Sequence, residues 1–155
     1  MPIYTVRVSS AIMETLQRLT HRQVEALRVI GARQGESRGA SLKEIASGLG
    51  VRPPSALAHL GPLEELGLIT RFRGKSRLTN RGFVCLEEYR RHHRVAESLF
   101  SRAGLSADAT CRAAREVDLS LSHLTVEKIC AAEGHPAVCP HGEPIPPCST
   151  EKEGS

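Results

Sequence analysis

Residues 41–81, SLKEIASGLGVRPPSALAHLGPLEELGLITRFRGKSRLTNR, constrain the fold more than any other stretch of the chain. Ser41 followed by Glu44 is a capping box, which predicts a short helix whose apolar residues are Leu42, Ile45, Ala46 and Leu49. Gly50 ends that helix and Val51 plugs the turn. Pro54 suits the first turn of a second helix, where a missing N–H loses no partner. This second helix carries Ala56, Leu57, Leu60 and Leu63 at helical spacing and stops near Gly67. Pro62, inside it, removes the bond to the Ala58 carbonyl and is expected to kink the helix or divide it in two. Leu68 to Arg73 alternates like a strand, Gly74-Lys75 supplies a turn, and Ser76 to Thr79 returns as a second strand. Helix, tight turn, helix and basic hairpin make a winged helix-turn-helix, whose second helix is shaped to enter a DNA major groove.

Charge agrees with that geometry. Between Arg71 and Arg81 there are five basic residues and no acidic one. A wing carrying Arg71, Arg73, Lys75 and Arg77 is suited to phosphates on either side of a groove, giving salt-dependent affinity with little sequence choice. On the recognition helix, Ser55 and His59 are expected to face base edges, with Arg52 and Pro54 just ahead. Ala58 offers only a methyl contact, so DNA shape should contribute to recognition.

The flanking chain reads mostly as helix. Residues 1–10 look like a short extended arm, and Ala11 to Leu19 can be helical. Thr20 with Gln23 is a second capping box, predicting a helix from His21 to about Gln34 that buries Val24, Leu27 and Ile30. Beyond the wing, a long helix is expected from Phe83 to Ala103, then a helix from Ser106 to about Leu119 and another from His123 to Ala132. Glu133-Gly134-His135-Pro136 is a stop signal, and the proline-rich remainder should be irregular. Cys85 reads as a small buried hydrophobe and His92 as a residue facing solvent or phosphate. Hydrophobic content is 40% but aromatics only 3%, so the core must be built from aliphatic side chains, which suits helices. The whole is therefore mainly α: a winged helix-turn-helix DNA-binding domain over 1–82 (with 1–20 an N-terminal extension), a helical dimerisation and metal-binding domain over 83–148, and a disordered tail over 149–155. Short helices bury little apolar surface alone, which favours a homodimer.

Net charge is +4, compatible with nucleic acid. No apolar run approaches the ~18 residues of a membrane span, and a cytoplasmic protein with no membrane partner is expected. No serine–histidine–aspartate set, phosphate loop or paired-carboxylate motif stands out, so an enzyme is not expected. In a reducing compartment the five cysteines are thiols or metal ligands. Cys111, Cys130, Cys139 and Cys148, spaced C-x18-C-x8-C-x8-C, form a soft ligand set suited to zinc or an iron–sulfur cluster and poor for manganese.

From about His21 to Pro146 the chain resembles the metal-dependent repressors of the diphtheria toxin repressor and manganese transport regulator type. The resemblance is carried by Leu63-Glu64-Glu65-Leu66-Gly67-Leu68-Ile69, Leu78-Thr79-Asn80-Arg81-Gly82, His93-Arg94-Val95-Ala96-Glu97, the helix from Leu121-Ser122 to Ile129, Gly134-His135-Pro136 and Cys139-Pro140-His141-Gly142-Glu143-Pro144-Ile145-Pro146. It implies the two-domain form without an SH3-like domain, a homodimer that binds operator DNA when loaded with a divalent metal such as iron or manganese. It implies ligands at His93 and Glu97 on the long helix and at Glu25 on the first. On the next helix the ligand-bearing positions hold Cys111, Arg115, Asp118 and Leu119; the first and third can ligate, the other two cannot. Two ligand sets are thus expected: first Cys111, Cys130, Cys139 and Cys148 holding an iron–sulfur cluster or zinc, and second His93, Glu97, Asp118 and Glu25 holding iron, manganese or zinc. The function expected is a metal- or redox-responsive transcriptional regulator; the alternatives are a winged-helix DNA-binding protein with purely structural zinc, and an iron–sulfur redox carrier.

Overall fold

The computed structural model describes residues 10–36 and 38–147. The expected N-terminal arm lies outside them but for Ser10, and so do Cys148 and the tail over 149–155. Leu19–Leu86 form one compact unit, while α1 (Ser10–Gln17) groups with the chain from Glu87 onward in the other. The partition thus differs from the expected 1–82 and 83–148. Helix α1 buries Ile12 and Leu16, an i, i+4 apolar pair, and the boundary falls inside a helix rather than in a loop.

The first unit is a winged helix. Helix α2 (His21–Gln34) starts on the Thr20–Gln23 capping box, and α3 (Leu42–Leu49) on the Ser41–Glu44 box, both as the sequence predicts. The Ser41 backbone N–H and hydroxyl, bonded to Glu44, hold its carboxyl down at about 2. Helix α4 (Pro53–Glu65) starts on Pro53 and runs through Pro62 without dividing. The Ala58 residue whose carbonyl loses its partner is exposed, where water can replace the missing N–H. Ala56, Leu60 and Leu63 are buried, but Leu57 is 46% exposed on another face.

Strands β2 (Ile69–Phe72) and β3 (Lys75–Leu78) form the expected hairpin, in the register Phe72↔Lys75. Its turn is Arg73-Gly74, one residue earlier than the sequence suggests. Both have positive φ, 48° and 74°, the mirror-image turn that matches strand twist and for which glycine is suited. A third strand, β1 (Ala40–Ser41), pairs antiparallel with β3 on its other side, giving the order β1-β3-β2. Two residues are too few to show an alternating pattern, so this strand was not legible as one. The unit's core is aliphatic, with Leu27, Ile30, Ile45, Leu60, Leu63 and Leu68 nearly inaccessible.

The second unit holds most of α5 (Asn80–Arg102), with α6 (Ala107–Val117) and α7 (His123–Ala132). Helix α5 starts three residues before the expected Phe83 because Thr79 caps it: its hydroxyl accepts the Gly82 N–H at 3.0 Å. Ser106 and Ser122 cap α6 and α7, accepting from the Ala109 and Thr125 N–H groups. Val95, Val126, Cys130, Cys139 and Ile145 make one apolar cluster, with Leu121 and Ile129 packed on it. The proline-rich segment is ordered over Ala137–Ile145. Cys139 N–H donates to Glu143, Gly142 N–H to Cys139 and Ile145 N–H to Ala137, so the chain folds back on itself. Among the described residues, no helix is long and apolar enough to cross a membrane.

Among the described glycines, Gly82 has the least room for a side chain. A Cβ there would lie 1.9 Å from the Leu68 carbonyl oxygen, which also accepts the Thr79 N–H at 3.0 Å. Backbone cannot yield as a side-chain end can. Gly82→Ala should therefore destabilise the winged helix by about 1–3 kcal/mol or more, read as a lower denaturation midpoint. An unchanged midpoint would contradict this packing.

Candidate metal centre and nucleic-acid interface

On the winged-helix unit, Arg52, Pro54, Ser55 and Ala58 are all exposed and His59 is half-buried. Helical spacing sets them apart from the buried Ala56, Leu60 and Leu63. The wing is less uniformly free than its sequence suggests. Arg71 is held by Glu64 of α4, with Nη2 at 2.7 Å and Nε at 2.8 Å. Lys75 lies 3.9 Å from Glu44, and Arg77 is exposed. Arg73 sits at the turn with its guanidinium 5.1 Å from the centre of the Phe72 ring, which is 72% exposed. Arg73 thus has the freest charge among the four for phosphate contact.

In the second unit, α5 carries two ligand-bearing faces. On one, His93 and Glu97 stand one turn apart. Asp118, at the C-terminus of α6, is fully buried. Its Oδ2 accepts from the Tyr89 hydroxyl at 2.8 Å and from His93 Nδ1 at 2.9 Å. The Tyr89 and His93 rings are stacked, with centroids 6.0 Å apart. A proton committed to Nδ1 leaves His93 Nε2 with its lone pair, and this nitrogen lies 3.3 Å from Glu97 Oε1 and 3.7 Å from Cys111 Sγ. One ligand atom from each of His93, Glu97 and Cys111 all lie within 4.8 Å of one another.

Glu97 belongs to a second group as well. His141 Nδ1 lies 3.2 Å from Glu97 Oε1, and Glu97, Cys139 and His141 also gather their ligand atoms within 4.8 Å. The fold-back of residues 137–145 positions Cys139 and His141, and Arg94 donates to the Pro144 carbonyl to anchor it. Glu97 is 3% exposed, Cys139 4%, whereas Cys111 is exposed.

The expected four-thiol set does not assemble among the described residues. Cys111 and Cys139 fall in different groups, each with one sulfur, and Cys130 lies in the apolar cluster with His135 Nδ1 at 3.6 Å. Cys148 lies outside the described residues. Asp118, expected as a ligand, stands behind His93 and orients it. Glu25 sits on α2 in the other unit, ion-paired to Arg28 at 3.2 Å. Arg115 is exposed, and neither it nor Leu119 enters a ligand group. Cys85 is buried, as expected. His92 is not surface-facing: it is 1% exposed, 3.0 Å from Glu88. His141 is not among the ligands expected from the sequence, although its place two residues after Cys139 was the available signal.

Partial burial, then the neighbouring Glu97 carboxylate, pushes the Cys111 thiol above its ordinary value. An ion held by that sulfur must displace the proton, so zinc affinity should rise with pH, by up to about tenfold per unit below the thiol pKa. Calorimetry in buffers of differing ionisation enthalpy would show the released proton. Affinity flat with pH would exclude Cys111 as a ligand.

Residues 79–147 match the family described as iron dependent repressor, metal binding and dimerisation domain, and residues 16–78 match the LexA DNA binding domain. Among solved structures, the hypothetical protein SSo2273 from Sulfolobus solfataricus is 29% identical, with 83% of this chain and 99% of that one covered and a TM-score of 0.75. The T. acidophilum protein IdeR is 28% identical over 83% of this chain and 60% of its own, with a TM-score of 0.62. A manganese-dependent transcriptional repressor in complex with manganese is 28% identical over 80% of this chain and 58% of its own, with a TM-score of 0.64. This chain therefore spans less than two thirds of the latter two. No curated protein matches it. None of these likenesses supports the expected iron–sulfur cluster.

Proposed function

Because the chain belongs to the metal-dependent transcriptional repressor family, with a DNA-binding winged helix and a metal-binding and dimerisation domain, we propose that it is a homodimeric regulator whose operator affinity rises with a bound divalent metal. Members of the family are regulators of transcription rather than enzymes. The observation that carries the reading is the His93 imidazole, bonded to buried Asp118 so that Nε2 faces Glu97 and Cys111, with His141 Nδ1 meeting the same Glu97 oxygen and Cys139 grouped with it.

The donor set fits a metal. Each group offers one imidazole nitrogen, one carboxylate oxygen and one sulfur, a mixture suited to zinc or ferrous iron and less to manganese. When bound, the ion supplies a positive charge that holds residues of α5, α6 and the C-terminal turn together. Exposed Cys111 makes the His93 set the exchangeable, sensing site. Buried Cys139 makes the other set structural, tying the turn to α5.

DNA enters through α4 and the wing. Ser55 and His59 read base edges, Arg52 holds phosphate or guanine, Pro54 and Ala58 set the close approach, and Arg71, Arg73, Lys75 and Arg77 grip phosphates. The test is selection of binding sites from random duplex DNA with zinc or ferrous iron, followed by affinity measurements with and without chelator. Chelation should cut specific affinity by at least about fivefold, the lower end of ordinary coupling. Equal affinity in both conditions would overturn the sensing role.

The wing makes a separate prediction. Arg73→Ala should weaken binding to all sequences alike and lower the salt slope by about one unit, whereas Arg71→Ala should do less because Glu64 already holds that charge. An unchanged slope in Arg73→Ala would place the wing tip off the DNA.

A further inference from the structure

The other ligand-bearing face of α5 is turned away from the site above. His92 and His93 are consecutive, so their side chains leave the helix about 100° apart. Glu88 lies one turn before His92, and α7 begins with His123 beside them. His92 Nε2 and His123 Nδ1 each lie 3.0 Å from the same oxygen, Oε1 of Glu88. One ligand atom from each of the three residues falls within 4.8 Å of the others. Glu88 is 5% exposed and His92 1%, while the His123 side chain keeps 27% of its surface. The site is thus enclosed with one edge open to entry.

The surrounding charges favour a cation. Glu127 Oε1 lies 3.9 Å from His123 Nε2, but it already accepts from Arg91 Nε at 3.0 Å and Nη2 at 2.7 Å. Arg91 and Glu127 therefore cancel, and Glu88 remains a buried carboxylate served by two imidazoles. His123 can pass its proton to Nε2, toward Glu127, and His92 to Nδ1, which is buried without a hydrogen-bond partner among the described residues. Each shift keeps the ring neutral and frees the nitrogen facing Glu88 as a donor to a metal, the one at His92 at the cost of a buried N–H. The positive end of α7 opposes a cation, but its partial charge is weaker than a full carboxylate at contact distance. The rings of His92 and His123 are stacked, centroids 6.5 Å apart, so both approach from one side.

We propose that Glu88, His92 and His123 form a further divalent-metal site, of zinc type, that fastens the start of α7 to α5. Two nitrogens and one carboxylate oxygen are a ligand set zinc accepts with a fourth position left for water. No sulfur takes part, which separates this site from both Glu97 sets. It stands independently of the regulator reading, since no residue is shared.

Cobalt(II) distinguishes the sites by colour. A four-coordinate cobalt ion absorbs in the visible, and a thiolate ligand adds a near-ultraviolet charge-transfer band. In the full chain carrying Glu97→Gln, Cys111→Ser and Cys139→Ser, cobalt should still bind with visible absorption and no thiolate band. Adding His123→Ala or His123→Gln should weaken that binding at least about tenfold, with helicity by circular dichroism unchanged. The proposal is overturned if the triple variant gives no four-coordinate spectrum, if the spectrum keeps a thiolate band, or if it survives both His123 changes. Loss of helicity in both His123 variants would assign the triad to folding alone and overturn it too. Failure of the regulator reading would appear instead as DNA affinity indifferent to chelator in the unaltered chain.

Discussion

The buried carboxylate of Asp118 is the constraint on which the metal-binding unit depends. A fully enclosed carboxylate is costly unless it is hydrogen-bonded, and here the Tyr89 hydroxyl and the His93 N–H supply the bonds. Bonds to a charged group contribute about 1.5–3 kcal/mol each, enough to fix one tautomer and one ring orientation. The consequence is chemical as well as structural. With Nδ1 committed inward, His93 can present only Nε2, and it presents it to Glu97. Carboxylate behind histidine behind metal is a recurring arrangement, and loss of such an outer partner typically costs 10–100-fold in metal affinity. Asp118 thus shapes the site through the orientation of His93.

The two units solve different problems. In the winged helix, aliphatic packing sets the frame and charge is left on its rim, although Glu64 and Glu44 temper part of the wing. In the second unit, polar groups enter the interior. Arg91, His92, Glu97 and Asp118 are all nearly inaccessible, and each has a partner of complementary chemistry. One helix, α5, carries this through its spacing. Positions 88 and 92 make one ligand pair, and positions 93 and 97 make another on a different face.

Local chemistry was legible in the sequence where it acts over a few residues. Both capping boxes form as read, α2 keeps its predicted ends, and the hairpin differs by one residue at its turn. Helical spacing alone could not say which face of α4 meets the core, so Leu57 was misplaced. His93, Glu97 and Cys111 come together as the i, i+4 pair and the family resemblance suggested. The four cysteines looked like one set because their separations along the chain are short, yet Cys130 turns into an apolar cluster and Cys111 faces another helix. His141 depends on where a loop folds back, for which its spacing from Cys139 was the one local signal, and His123 on where a helix begins, which does not follow from spacing. Asp118 was recognised as polar and well placed, but whether a carboxylate ligates or orients is decided by which histidine nitrogen it meets.

In the proposed arrangement one carboxylate, Glu97, is shared by two sulfur-containing ligand sets. Cadmium-113 NMR of the cadmium-loaded chain tests this most directly, because each resonance reports the sulfur content of its site. Two resonances of single-sulfur sites are predicted, one lost in Cys111→Ser and the other in Cys139→Ser, with both lost or strongly shifted in Glu97→Gln. A Glu97→Gln spectrum that keeps both resonances unchanged would contradict the account.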